Sequence, residues 1–164
     1  MQSKAITSKR MLEREAVRHF IGLYNQLTDN RLRLLYMHDK PDAVLQDSRG
    51  RKLGVEITHL FYDQMEARQL FQHQHRSFVC IESFDNLVQE LNQLVVRKEA
   101  KSAGYSHQYP LALLIRNLSI NFGWNDFNQA WDKVRKPSSA FTDIWFLARN
   151  HSQPDQWYLK SIRF

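Results

Sequence analysis

A single cysteine, Cys80, rules out an internal disulfide and points to a reducing compartment. Its neighbours Phe78, Val79 and Ile81 mark it as a small buried hydrophobe rather than a nucleophile. The five glycines are scattered and form neither a GxGxxG string nor a phosphate loop, so no nucleotide cofactor is expected. The longest apolar run, Leu111-Ala112-Leu113-Leu114-Ile115, is far too short to span a bilayer. Met1-Gln2-Ser3-Lys4-Ala5-Ile6 lacks the apolar stretch of a signal peptide. Internal repeats, low-complexity segments and linkers are also missing. The expectation is a soluble cytoplasmic protein with no membrane partner, in which residues 1–164 form one domain.

What is present in excess is positive charge. The net formal charge is +6, and residues 1–52 carry most of it, with eleven Lys/Arg against six Asp/Glu. A basic half of this kind raises the prospect of an anionic partner, nucleic acid above all.

The order of elements follows from the hydrophobic period. Leu12, Ala16, Phe20, Leu23 and Leu27 recur at spacings of three and four, predicting an amphipathic helix over about 8–27. Residues 31–37 alternate as a strand, with Leu32, Leu34 and Tyr36 on one side. Strands at 43–46 and 53–58 flank the turn Asp47-Ser48-Arg49-Gly50 and make a hairpin. Residues 62–75 suit a helix or an irregular polar segment, and 78–81 a buried strand. Ser83 is placed to cap a helix running to about Ser102, with Phe84, Leu87, Val88, Leu91, Leu94 and Val95 inward. Pro110 opens a buried strand at 111–115, a short helix covers about 125–134, and late strands fall at 141–148 and 157–162.

Four charged side chains stand out against this pattern. Asp42 heads one strand of the hairpin, and Glu56 lies in the middle of the next. Val55 and Ile57 share one face of that strand; Gly54, Glu56 and Thr58 share the other. Stepping by about 100° per residue puts Glu13 inside the apolar arc of the first helix, between Phe20 and Tyr24, while Glu15 falls on the solvated side. A core-facing glutamate needs a cation, a hydrogen-bond network or a polar cleft. The stripe Leu87, Leu91, Leu94 continues at spacing four to Lys98, which is therefore also inward, either as an ammonium aimed at the same cleft or as a side chain that snorkels past the helix end. Carboxylates from neighbouring strands are the ligand type that Mg²⁺ prefers, and Mg²⁺ takes only one or two from protein.

Other groups carry less. His73-Gln74-His75 with His59 does not have the spacing of a zinc site, because residues two apart do not share a helix face. His59 reads as a polar strand-end residue, or as a proton carrier beside Thr58. Trp124, Phe127 and Trp131 fall at helical spacing and suit core packing or a homodimer contact.

A helix-borne glutamate, Pro41-Asp42 opening a strand, and Gly54-Val55-Glu56-Ile57-Thr58 after a short hairpin together resemble the PD-(D/E)XK (restriction-endonuclease-like) nuclease superfamily. Lys98-Glu99-Ala100-Lys101, Tyr105 and the strand at 111–115 resemble the helix and following strand of the same core. The resemblance covers about residues 10–120. It implies an α/β fold with a restriction-endonuclease-like core, a central mixed β-sheet flanked by helices. It also implies a phosphodiester hydrolase in which Asp42 and Glu56 hold Mg²⁺ (or Mn²⁺), with Glu13 as the auxiliary carboxylate. The departure is Thr58, which stands where the superfamily has a lysine; inward Lys98 is the candidate replacement. Lys9, Arg10, Arg14, Arg49, Arg51 and Lys52 are candidate phosphate contacts, and DNA is the expected polymer. The alternative is the same fold as an inactive module that binds nucleic acid or a protein partner.

Overall fold

The computed structural model describes residues 2–60, 83–105, 108–119, 121–135 and 140–162, with side chains from residue 8 onward. Expectations for 62–75 and 78–81, and for Cys80, His73 and His75, lie outside the described residues.

The first helix, α1 (Gln2–Leu27), buries Ala16, Val17 and Phe20 on the predicted stripe. It ends where the Asn25 side chain ties to Leu32, accepting from its N–H at 2.7 Å and donating to its carbonyl at 3.0 Å. Three antiparallel strands follow: β1 (Arg33–Met37), β2 (Ala43–Gln46) and β3 (Lys52–Leu60). The β2–β3 turn is closed by Asp47, whose Oδ1 accepts from the backbone N–H groups of Arg49 and Arg51, each at 2.9 Å. Gly50 supplies the left-handed backbone there, at φ +79°.

Strand β3 then pairs parallel with β4 (Leu111–Asn117), which is buried along its whole length. A parallel neighbour requires a crossover, and part of it is α2 (Phe84–Lys101), capped by Ser83 Oγ accepting from the Asn86 N–H at 3.2 Å. A short helix, α3 (Trp124–Gln129), lies between β4 and β5 (Asp143–Arg149), again parallel, and antiparallel β6 (Trp157–Ser161) completes the sheet. The result is a six-stranded mixed sheet in the order β1-β2-β3-β4-β5-β6.

Two apolar clusters cover its faces. Ala16, Val17 and Phe20 of α1 pack on Ala43, Leu45, Val55, Ile57 and Leu114. Leu87, Leu91 and Val95 of α2, with Phe127 of α3, pack on Leu111, Leu113, Ile115 and Phe146. The fold is thus α/β, a mixed sheet with helices on both faces. Among the described residues, no helix is long and apolar enough to cross a membrane.

One sequence expectation changes. A bulge between Leu34 and Tyr36 breaks the alternation of β1, so Leu34 pairs with Leu45 but Tyr36 pairs with Val44, on the opposite face. Of the two roles expected for Trp124, Phe127 and Trp131, the structure shows core packing. Trp124 and Trp131 pack against the core cluster that contains the fully buried Phe127, and Trp124 stacks on Tyr158 at 5.0 Å.

Candidate metal and phosphate site

Glu56 is the centre of the site because β3 is interior to the sheet. With β2 on one side and β4 on the other, its side chain has no open edge to reach, and Glu56 is only 6% exposed. It points to the α2 face, where Lys98 from the last turn of α2 donates from Nζ to Oε1 at 3.0 Å. The Tyr105 hydroxyl donates to the same oxygen at 2.8 Å. Both bonds fall on Oε1, leaving the buried Oε2 without a hydrogen-bond partner.

Asp42 meets Glu56 because it sits one residue before β2, at the end of the hairpin remote from the turn. The peptide bond Lys40–Pro41 is cis, and the Pro41 ring lies against Gly54 of β3. A Cβ on Gly54 would come within 2.9 Å of Pro41 Cγ and 3.3 Å of Leu111 Cδ1, so only glycine lets the chain pass this closely. The Asp42 Oδ2 then accepts from the Ile57 N–H at 2.7 Å, which fixes the carboxylate against β3. Glu13 arrives from α1 and is 7% exposed, with Lys9 one turn earlier at 3.8 Å.

Three carboxylates therefore converge on one end of the sheet, with one inward ammonium. Electrostatics records the imbalance. Burial pushes the Asp42 carboxyl up to about 7, reinforced by the Glu56 and Glu13 charges and opposed by the Ile57 N–H and by Lys98. Burial also raises Glu13; Lys9 opposes this and Glu56 adds to it. Tyr105 is held well above the ordinary phenol range, first by burial and then by its bond to Glu56, so it remains a donor.

A cleft of about 630 Å³ opens beside these acids, lined by Lys9, Arg10, Glu13, Arg14, Met37, His38, Asp39 and Asp42. A slightly larger groove of about 710 Å³ runs along the outer side of α2, but Glu13, Asp42, Glu56 and Lys98 do not line it.

The six basic residues divide into two groups. Lys9, Arg10 and Arg14 line the cleft, Arg10 also pairing with Asp39 at 3.4 Å. Arg49, Arg51 and Lys52 do not join them, because the β2–β3 turn is at the far end of the hairpin, about 14 Å along the strand from Glu56. There Arg51 is held by Asp47 at 2.7 Å, and Lys52 lies over the Tyr109 ring at 5.4 Å. Thr58 is half-buried on the Glu56 face.

Glu15 departs from its expected solvated position. Arg116, a buried arginine on the α1 face of β4, reaches Glu15 Oε2 and the Leu12 carbonyl, both at 3.3 Å. The sequence reading did not single out Arg116, since an arginine in an apolar strand carries no periodic mark. His59 pairs with Arg116 across the β3–β4 register and faces α1. Burial, then Arg116 and Lys9, push its pKa down to about 4, so it stays neutral and faces away from Glu56. Tyr105 was recognised only through the resemblance, and its bond to Glu56 depends on the 3-10 turn Ser102–Gly104 that follows α2.

The residues present suit a hard divalent cation. Buried Glu56 Oε2 lacks a donor, and Asp42 is destabilised as an anion by burial and then by its acidic neighbours; a cation would relieve both. Among the described residues, no group of three or more His, Cys, Asp or Glu side chains is arranged to hold a metal ion.

No protein-family model, curated protein or solved structure matches this chain.

Proposed function

We infer that this protein is a metal-dependent nuclease with a restriction-endonuclease-like core, hydrolysing phosphodiester bonds in nucleic acid, with DNA as the expected polymer. The observation that supports this best is the convergence of Glu13, Asp42 and Glu56 with Lys98 at one sheet end, beside a cleft carrying Lys9, Arg10 and Arg14. A site that merely stabilised the fold would balance its charges; this one sets three acids against one inward, half-buried ammonium and one exposed lysine.

Asp42 and Glu56 would hold Mg²⁺ or Mn²⁺, which when bound lowers the pKa of a water and neutralises charge on the phosphate. The chain's own residues do the rest. Lys98 and Tyr105 clamp Glu56 Oε1 and so present Oε2 to the site. The Ile57 N–H orients Asp42 in the same way. Glu13, with its raised pKa, takes the proton of the attacking water as the water oxygen bonds to phosphorus and the bond to the leaving oxygen breaks. Lys98 stands where its charge offsets the growing negative charge on the phosphoryl oxygens, the task that Thr58 has no charge to perform. Lys9, Arg10 and Arg14 hold flanking phosphates.

The test is cleavage of single- and double-stranded DNA and RNA with Mg²⁺ or Mn²⁺, comparing wild type with Asp42→Asn. Cleavage by the wild type that needs the metal and disappears in the variant is expected. Cleavage unchanged in Asp42→Asn would remove the site from the mechanism. The presence of Thr58 favours a second reading, the same fold as a binding module without catalysis. Salt-sensitive nucleic-acid binding with no metal dependence and no cleavage would select that reading.

A further inference from the structure

We propose that the α2-side face of the β1–β3 hairpin layer, beside the acid centre, is a stacking platform for nucleobases, so that the polymer is presented as a single strand. This rests on the nuclease reading for the nature of the polymer and goes beyond it in assigning strandedness.

The bulge in β1 is the structural cause. By shifting the register between Leu34 and Tyr36 it turns Tyr36 to the face shared by Val44, Lys52, Gly54 and Glu56. There Tyr36 is 43% exposed, a large ring left partly in water. It is not alone. Its hydroxyl lies beside that of Tyr109, and the His38 ring stands edge-on to it with centroids 6.2 Å apart. At the other end Lys52 Nζ sits 5.4 Å over the Tyr109 ring. His38, Tyr36, Tyr109 and Lys52 thus form one row of three rings and a cation.

The row begins at the chemistry. The His38 N–H donates to the Asp42 carbonyl at 2.8 Å, and His38 itself lines the cleft that holds Glu13 and Asp42. Lys9, Arg10 and Arg14 face this end across the cleft, and Lys52 closes the other.

This arrangement suits one kind of occupant. Rings offer faces on which bases stack regardless of sequence, and cations at the two ends track the backbone phosphates. A duplex hides its base faces within its own stack, so it could use only the cations. An apolar protein segment would leave the phenol hydroxyls, the imidazole and the ammonium without use. Single-stranded nucleic acid engages both the rings and the charges. This also gives Arg49, Arg51 and Lys52 a role that their distance from the acids otherwise denies them, as the distal end of the track.

The test uses the full chain in EDTA, so that neither cleavage nor metal enters. Fluorescence anisotropy would measure binding of a labelled oligothymidylate of roughly twelve nucleotides, the abasic backbone of the same length, and the corresponding duplex. The base-bearing single strand should bind about tenfold or more tightly than either competitor, and Tyr36→Ala should remove most of that advantage while Tyr36→Phe keeps it. Lys52→Gln should instead lower the salt dependence by about one ion for all three ligands. Photocrosslinking of a 5-iodouracil oligomer should map to Tyr36 or Tyr109. Equal affinity for the abasic strand or the duplex, an unchanged Tyr36→Ala, or crosslinks confined elsewhere would each overturn the platform. Because all of this is read without metal, its failure is separate from that of the nuclease reading, which falls only on metal-dependent cleavage and Asp42→Asn.

Discussion

Two buried charged clusters sit on opposite faces of the same sheet, and they are built differently. On the α1 face, Arg116 is matched by Glu15 and the Leu12 carbonyl and lies 4.9 Å over the Trp157 ring, on which His19 also stacks at 4.5 Å. Charge balances there. Burial would raise Glu15, but the Arg116 hydrogen bond and charge outweigh it and leave the carboxyl below its ordinary value. Burial and Arg116 lower His19, so it adds no second cation. Centred on the α2 face, Lys98 is the one inward ammonium beside Glu56 and Asp42, Glu13 joins them from α1 with only the exposed Lys9 at 3.8 Å, and Asp42 is driven up to about 7. A balanced cluster is what folding alone tends to produce, since an uncompensated buried charge is expensive. The unbalanced one persists at a stability penalty that a bound cation would remove.

That contrast can be broken most visibly with one cation from each side. Lys98→Met should lower metal-dependent cleavage by about 10²–10³-fold, the scale of losing one preorganised charge donor in the transition state. Arg116→Met should leave cleavage per folded molecule unchanged and reduce stability by about 1–3 kcal/mol, moderated because Glu15 is half-exposed and can rehydrate. Steady-state rates and urea melts on both variants separate the two effects; a cleavage defect in Arg116→Met equal to that in Lys98→Met would erase the distinction.

A smaller effect sharpens the electrostatic side. Because the Asp42 pKa is higher in the folded protein than in the unfolded chain, the folded state holds the extra proton between about pH 4 and 7. Stability from this group is therefore full below about pH 4 and lost as pH rises through about 7, by a few kcal/mol at most. Thermal melts of metal-free protein should show Asp42→Asn gaining on wild type from pH 5 to pH 8, and Mn²⁺ should stabilise wild type most at the higher pH. Parallel profiles for the two proteins would mean that Asp42 is not held as an acid.

Smaller again is Tyr105→Phe, which removes one of two donors on Glu56 Oε1 and should weaken Mn²⁺ binding about tenfold by calorimetry, the low end for a residue that orients a ligand. Unchanged affinity would confine Tyr105 to packing. Gly54→Ala should act through Pro41, which it would push away from β3 and with it Asp42, giving a modest loss of both stability and Mn²⁺ affinity. Loss of stability alone would show that Asp42 keeps its place without Pro41.

Much of this site was legible in one dimension. Glu13 and Lys98 are out of place on apolar helical stripes, and a violated period is visible without any structure. Asp42 and Glu56 are linked by a short hairpin whose turn residues announce it. Glu15 was misjudged because its angle on the helix is measured from the helix alone; the arginine that half-buries it comes from β4, far away in sequence. The grouping of Arg49, Arg51 and Lys52 with the cleft failed because proximity in sequence was taken for proximity in space, whereas a hairpin carries its turn away from its open end.

By itself, then, the sequence determined the element order, the hairpin and the four charges that do not suit a core, because these depend on local periods and turn chemistry. Only the tertiary structure decided which acids meet, that Lys98 and Tyr105 share one oxygen of Glu56, and that a bulge turns Tyr36 toward the site. Those contacts join segments separated by tens of residues. Their geometry comes from strand register and helix docking, which no local pattern encodes.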